Sequence, residues 1–265
     1  MKPDTGRPSR TARATEPSVE ETLAGLAARY PAPLVDIELA DVARIAFHVR
    51  LVMDYAEEGP VCDVGGGLGL FSLGCAAVGL PVILVDDFRD ESRGVSVDGV
   101  LAIHRSLGVD IVQRDVTEGV PLPPNSLGAA TCFHSIEHWH GSPKTLFADL
   151  LAALRPGGLF LLAAPNAVNL RKRLTVPLGY GNWSPFSEWY DAQEFRGHVR
   201  EPTVHDLRQI GERLGLDEMA VFGRNWLGLS NRRPLLRTAA RAADRLLRLR
   251  PSLCSDIYLM GRKKR

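Results

Sequence analysis

Apolar residues are not spread evenly along this chain. From Pro60 onward they gather into short runs, Val61–Val64, Val82–Asp86, Asp110–Gln113, Ala129–His134 and Leu159–Ala164, each bounded by turn-forming residues. Apolar runs of this length predict strands in a sheet with covered faces. Between them, Leu68–Val78, Val97–Leu107 and Pro143–Leu154 have the makings of helices. Strand and helix in alternation predict βαβ crossovers, and hence an α/β fold around a mainly parallel sheet.

The flanks add further elements. Ser18-Val-Glu-Glu21 offers a capping box to a helix running to about Ala28. Another helix is expected to follow Asp41, because Val42, Ile45, Ala46, Val49, Val52 and Met53 recur on one face. His48 falls inside that helix, where packing or solvation is the expectation. Ser142-Pro143 reads as a helix start and Arg155-Pro-Gly-Gly158 as a stop. Pro165–His198 lacks periodicity, and an irregular stretch of that length in a compact domain predicts a lid or acceptor loop. Thr203 then caps a helix ended by Gly215, strands are expected near Glu218–Phe222 and Asp256–Met260, and Pro234–Leu249 reads as an Arg-rich helix. Residues 1–17 are expected to form a disordered tail, and 18–265 a single domain.

The densest chemical signal is Val61-Cys62-Asp63-Val64-Gly65-Gly66-Gly67-Leu68-Gly69, at a strand-to-helix turn. Glycine there lets the backbone approach a ligand where a Cβ would collide. The helix that follows presents free N–H groups suited to an anionic group, and Asp63 is placed to accept from a ligand amine. The next strand ends in Asp86, about twenty residues on, where a carboxylate can hold both hydroxyls of a ribose. A nucleoside ligand follows. A dinucleotide site wants a third small residue where Leu70 stands. The D-x-G-x-G-x-G spacing instead resembles motif I of class I S-adenosylmethionine-dependent methyltransferases.

Further segments resemble that superfamily in the same order. Asp115 resembles its acid near the adenine amino group, with Val116 against the ring. Thr131-Cys-Phe-His134-Ser-Ile-Glu137-His138-Trp139 resembles its fourth-strand exit, Leu154–Leu162 its proline–glycine turn into strand five, and Gly197-His198-Val-Arg200 a late segment of many bacterial members. One departure stands out: Ser126-Leu127-Gly128 replaces a phrase that commonly ends in Asp. The resemblance spans about Pro60–Phe222. It implies a Rossmann-like three-layer α/β/α sandwich with a mostly parallel seven-stranded sheet, extra N-terminal helices and an insert after strand five. It also implies S-adenosyl-L-methionine as cofactor, held by Asp63, Gly65, Gly67, Gly69, Asp86, Asp115, Val116 and His134.

A sulfonium is an activated methyl donor, so what remains is to align the acceptor and remove its proton. His138 is the expected general base, with Glu137 orienting it or holding a hydroxyl; both equally suit a loop brace. His134-Ser-Ile-Glu137-His138 also spells H-x-x-E-H, a zinc pattern that belongs on a helix. Here it ends a strand; some quinone-pathway methyltransferases that the chain resembles bind a divalent metal with a Glu/His pair at this place, but no metal is expected. His198 and Arg200 either reach the acceptor or anchor a turn. Trp183, Trp189 and Tyr190 either wall an acceptor site or pin the loop to the core.

Composition narrows the partners. Net charge is +1 over 265 residues, and no nucleic-acid module is legible, so a small-molecule acceptor is expected and nucleic acid is not. A saccharide hydroxyl, a lipid-linked intermediate or another secondary metabolite would suit the insert. Arg237, Arg241, Arg245 and Arg248 share one helix face, which is either simply solvated or a peripheral contact for anionic lipid or a phosphorylated acceptor. Four dispersed cysteines without ligand spacing read as buried thiols. With no apolar signal or spanning segment legible, a cytoplasmic location is expected. Two alternatives remain: a nicotinamide-dependent oxidoreductase, and a non-catalytic partner protein on the same fold.

Overall fold

Residues 17–89, 95–226 and 234–265 are described by the computed structural model of the chain. The tail expected over 1–17 therefore falls almost entirely outside the described residues. Helix α1 (Val19–Ala27) starts at the anticipated capping box, with the Glu21 N–H donating to Ser18 Oγ at 3.2 Å and the Ser18 N–H to Glu21 Oε2 at 2.8 Å. Helix α2 (Ala32–Tyr55) begins nine residues before Asp41, correcting the expected start. Pro33 in the first turn is pre-set for helix, while exposed Ile37 and Leu39 and the buried Glu38 blur the apolar face between Leu34 and Ile45. Helices α1 and α2 pack on α3 (Leu70–Ala77). Gly74 permits the closeness, since a Cβ there would sit 2.7 Å from Leu23 Cδ2 and 2.9 Å from Val49 Cγ2.

Strands β1 (Val61–Val64), β2 (Val82–Asp86), β3 (Asp110–Gln113), β4 (Leu127–Phe133), β5 (Leu154–Pro165), β6 (Asp217–Arg224) and β7 (Asp256–Arg262) form one sheet in the order β3-β2-β1-β4-β5-β7-β6. The sheet is mixed rather than mostly parallel. Pairs β1–β2, β1–β4, β2–β3 and β4–β5 are parallel, and β7 runs antiparallel to both β5 and β6. Ile257, Tyr258 and Leu259 are buried on successive faces, and such a run carries no sign of strand direction.

Alternation along the strands splits the core in two. Val61, Ala129, Leu159 and Leu161 face α1, α2, α3 and α4 (Val97–Ser106). Cys62, Val64, Ala130, Cys132, Phe160 and Leu162 face α5 (Lys144–Ala153) and α8 (Val204–Leu214). Each such Leu or Phe contributes about 1.5–3 kcal/mol of burial. The four cysteines are buried and unpaired by disulfides, as expected. Arg155-Pro-Gly-Gly158 lies within β5, so α5 ends by turning directly into strand at Leu154. The Gly128 departure has a packing reason: a Cβ there would lie 2.1 Å from the Glu57 carbonyl oxygen.

The stretch 165–198 is less irregular than its sequence suggests, holding α6 (Leu170–Thr175) and α7 (Phe186–Tyr190). Beyond β6 comes α9 (Pro234–Leu247). The side chains of Arg237 and Arg241, half of the anticipated basic face, lie outside the described residues. Among the described residues, no helix is long and apolar enough to cross a membrane.

Candidate functional site

A cavity of about 640 Å³ runs along the carboxyl ends of β1, β2 and β4. Its floor is the turn between β1 and α3. Gly65 (φ +66°) and Gly67 (φ +55°) both adopt left-handed backbone that side chains disfavour. A Cβ on Gly65 would strike Ser135 Oγ at 1.8 Å, whereas a Cβ on Gly67 would meet nothing within 4 Å. The space beside Gly67 is thus open, as a ligand cradle requires. Gly69 is the N-cap of α3, an eight-residue helix.

Acids ring this cradle. Asp86 accepts from the Gly67 N–H at 3.0 Å and the Phe88 N–H at 2.7 Å, which fixes its carboxylate at the rim. Asp63 is buried, accepts from Ser72 Oγ at 2.7 Å, and has its pKa pushed up to about 7 by burial, with the Asp86 charge adding to the shift. Asp115 accepts from the Thr117 hydroxyl and N–H at 2.7 and 2.9 Å, bonds that hold its carboxyl below the usual range. Val116 is buried beside it. All of the predicted cofactor residues line this one cavity.

The fourth-strand exit supplies the other wall. Just past β4, His134 adopts left-handed backbone (φ +53°), followed by a single 3-10 turn over Ile136–His138. The H-x-x-E-H residues therefore do not share a helix. His138 Nδ1 donates to the Arg196 carbonyl at 2.7 Å. That bond, not Glu137, orients the ring, and it leaves the lone pair on Nε2. Glu137 is 1% exposed, and burial raises its pKa to about 8. Among the described residues, its Oε2 has no hydrogen-bond partner. Its carbonyl accepts from the N–H groups of Val199 (2.7 Å) and Arg200 (3.2 Å), tying the end of the 165–198 segment to β4.

A second cavity of about 400 Å³ opens behind this turn and shares Asp41, Arg44, His134 and His138 with the first. His198 lines it, with Nδ1 at 2.8 Å from Glu201 Oε1. The other Glu201 oxygen binds Lys172. Burial, with His138 and Lys172 nearby, lowers the His198 pKa to about 4, so the ring is neutral. The His138 and His198 rings meet edge to face, 4.8 Å between centroids. Glu137, His138 and His198 each present a ligand atom within 4.8 Å of the others; the sequence suggested the Glu137–His138 pair but not its meeting with His198.

His48 is a packing residue, stacked on Phe133 at 4.1 Å and bonded to the Tyr258 hydroxyl at 2.9 Å. Arg200 pairs with Asp206 of α8, which marks it as an anchor. Trp183, Trp189 and Tyr190 are exposed and do not pin the loop to the core; Phe186, Trp189 and Tyr190 pack on one another. Glu201 and Arg196 were not anticipated. The spacing His198-x-x-Glu201 was a readable signal, but a backbone carbonyl from Arg196 has none.

Residues 40–220 match the family described as a methyltransferase domain. The chain is 27% identical over 162 residues to a Mycolicibacterium smegmatis protein named "Probable S-adenosylmethionine-dependent methyltransferase", covering 59% of this chain and 56% of that protein. It is 31% identical over 128 residues to the tRNA 5-carboxymethoxyuridine methyltransferase of Escherichia coli K12, covering 43% and 45%. The chain thus spans about half the length of the curated relatives it matches. Among solved structures, an S-adenosylmethionine-dependent methyltransferase from Thermotoga maritima shares the fold, with a TM-score of 0.56 at 14% identity over 91% of this chain and 100% of that one. The reversed β7 also departs from the six-stranded order of dinucleotide-binding folds, against the oxidoreductase alternative. The chain belongs to the methyltransferase-domain family.

Proposed function

We propose that the protein transfers the methyl group of S-adenosylmethionine to a hydroxyl of a small molecule, such as a saccharide, a lipid-linked intermediate or another secondary metabolite. The observation that carries this reading is His138, which lines both cavities with its Nδ1 committed to Arg196 and its Nε2 lone pair left to take a proton. The open space beside Gly67 and the acids around it suit the cofactor: Asp86 for the ribose hydroxyls, Asp63 for the amine, Asp115 and Val116 for the adenine. When bound, the cofactor supplies a methyl group already activated toward nucleophiles. The chain's own part is to hold the acceptor in the second cavity, align its oxygen and accept its proton at His138 Nε2. The 165–198 segment, tied to β4 through Glu137, would cover that cavity and exclude water.

The test is transfer of a labelled methyl group to panels of hydroxylated small molecules, with bulk tRNA beside them. Labelled small-molecule product, lost in His138→Ala while S-adenosylhomocysteine still binds, is expected. Label appearing in tRNA alone would overturn the acceptor class.

A further inference from the structure

We infer that the outer face of residues 165–190, together with the chain leaving α9, is a docking surface for an anionic lipid bilayer. Binding to the bilayer stands apart from the methyl-transfer reading; only its consequence, an acceptor drawn from the lipid, rests on that reading.

Polarity along this segment is inside out. Its buried side chains are polar: Asn166, Asn169 and Lys172 are 0%, 4% and 7% exposed. Asn166 Nδ2 donates to the carbonyls of Ser252 and Cys254 at 3.0 and 2.9 Å, Asn169 Oδ1 accepts from the Lys172 N–H at 3.0 Å, and Lys172 pairs with Glu201. Asn182 and Ser184 tether the turn that follows, through the Ala167 carbonyl and the His198 N–H at 2.9 Å each. The large apolar side chains face outward instead. Leu174, Leu178, Tyr180, Trp183, Phe186 and Trp189 are between 60% and 86% exposed. In water a surface segment buries its apolar face and solvates its polar one. A segment held inward by polar bonds, with its apolar side chains outward, is arranged to meet something apolar.

What it meets follows from charge and residue type. Arg171 and Arg173 of α6 are exposed. The Arg173 guanidinium donates to the Ser252 carbonyl at 3.1 Å, which sets α6 beside the chain leaving α9, where Leu249 and Arg250 are exposed too. Acids follow only later, at Glu188, Asp191 and Glu194 on and after α7. Tryptophan and tyrosine settle at the boundary between headgroups and acyl chains, and arginine beside them attracts anionic headgroups. A second copy of the chain fits less well, since a two-fold pairing would set these arginines against their own counterparts. The face also adjoins the chemistry. Asn169, Arg171 and Lys172 line the second cavity, as His138 does, so an amphiphilic acceptor would enter that cavity from the bilayer.

The experiment is flotation of the full chain with vesicles of phosphatidylcholine alone, or of equal parts phosphatidylcholine and phosphatidylglycerol, with sedimentation velocity in the absence of lipid. Variants are Leu178→Ala/Trp183→Ala, Arg171→Ala and, as a control, Met53→Ala, an exposed apolar residue at the end of α2 that leads to the amino end of β1. Expected is binding to the anionic vesicles, at least tenfold weaker to phosphatidylcholine alone. It should weaken at least tenfold in the double variant and about fivefold in Arg171→Ala, and stay unchanged in Met53→Ala. No binding to the anionic vesicles, equal binding to both kinds of vesicle, or equal binding by the double variant overturns the inference. So does a dimer that the double variant dissociates, which would assign the face to a second copy. Titration of the same samples with S-adenosylhomocysteine shows that the variants fold and keeps the two readings apart. Cofactor binding without vesicle binding sinks this inference alone, and vesicle binding without cofactor binding sinks the methyl-transfer reading alone.

Discussion

Gly67 and Gly79 make a matched pair for testing the cradle. Both have left-handed backbone, φ +55° and +87°, and a Cβ at either would meet nothing within 4 Å. Replacing either by Ala therefore costs the protein only the conformational penalty, about 1–2 kcal/mol. That corresponds to a fall of roughly 2–4 °C in melting temperature per kcal/mol for a domain of this size. They differ in what surrounds them: Gly67 faces the cavity between Asp63 and Asp86, whereas Gly79 lies in the turn leaving α3, away from it. Gly67→Ala should thus weaken S-adenosylhomocysteine at least tenfold, about 1.4 kcal/mol, while Gly79→Ala leaves affinity unchanged. Gly65→Ala is the opposite case, since its Cβ would lie 1.8 Å from Ser135 Oγ, which also accepts from Trp139 Nε1. Forcing that contact adds about 1–3 kcal/mol of overpacking to the backbone penalty. Thermal melts and calorimetry on the three variants separate strain from occlusion. Equal affinity in Gly67→Ala and Gly79→Ala would refute the reasoning.

Asp63 predicts a proton-linked affinity. Its carboxyl is raised to about 7, so it is protonated below that pH, and a ligand ammonium favours its ionised form. Calorimetry in buffers of differing ionisation enthalpy should register proton release on S-adenosylhomocysteine binding at pH 6, little at pH 8, and none in Asp63→Asn; identical release at both pH values contradicts it. In the free protein the same raised carboxyl contributes stability that is present below its unfolded value and lost as pH rises through 7. The melting temperature should therefore fall over that window, and less so in Asp63→Asn. Thr203→Ala removes the capping box of α8, where Thr203 Oγ1 accepts from the Asp206 N–H at 3.2 Å. It should cost about 1 kcal/mol in denaturant unfolding, with cofactor affinity unmoved. His138→Ala should cut turnover by about 10²–10⁴-fold, the span typical of general acid–base contributions, without weakening S-adenosylhomocysteine; near-normal turnover would remove it from the chemistry.

Much of this architecture was legible because its punctuation is local. β1 and β2 have the boundaries their apolar runs predict, and Ser18 and Thr203 cap the helices their motifs announce. The start of α2 was not, because Asp36, Glu38 and Asp41 interrupt the apolar pattern between the core residues Leu34 and Ile45, with Glu38 itself buried. The direction of β7 was not either: strand polarity depends on where the chain re-enters the sheet, which a buried apolar run does not record. At the site, the glycine turn and Asp86 could be read since each is a spacing within one βαβ unit. The orientation of His138 depends on a carbonyl 58 residues away, and the meeting of Glu137 with His198 depends on the fold of the 165–198 segment. Such contacts join distant stretches through the backbone, which leaves no side-chain signature.

The most direct test of the central claim is calorimetric titration of the purified protein with S-adenosylhomocysteine, alongside Asp86→Ala. Saturable binding that is lost in the variant is the predicted result, because the Asp86 carboxylate sits at the rim of the cradle where the ribose would lie. No binding by the unaltered protein at millimolar ligand would contradict the account, as would equal affinity in Asp86→Ala.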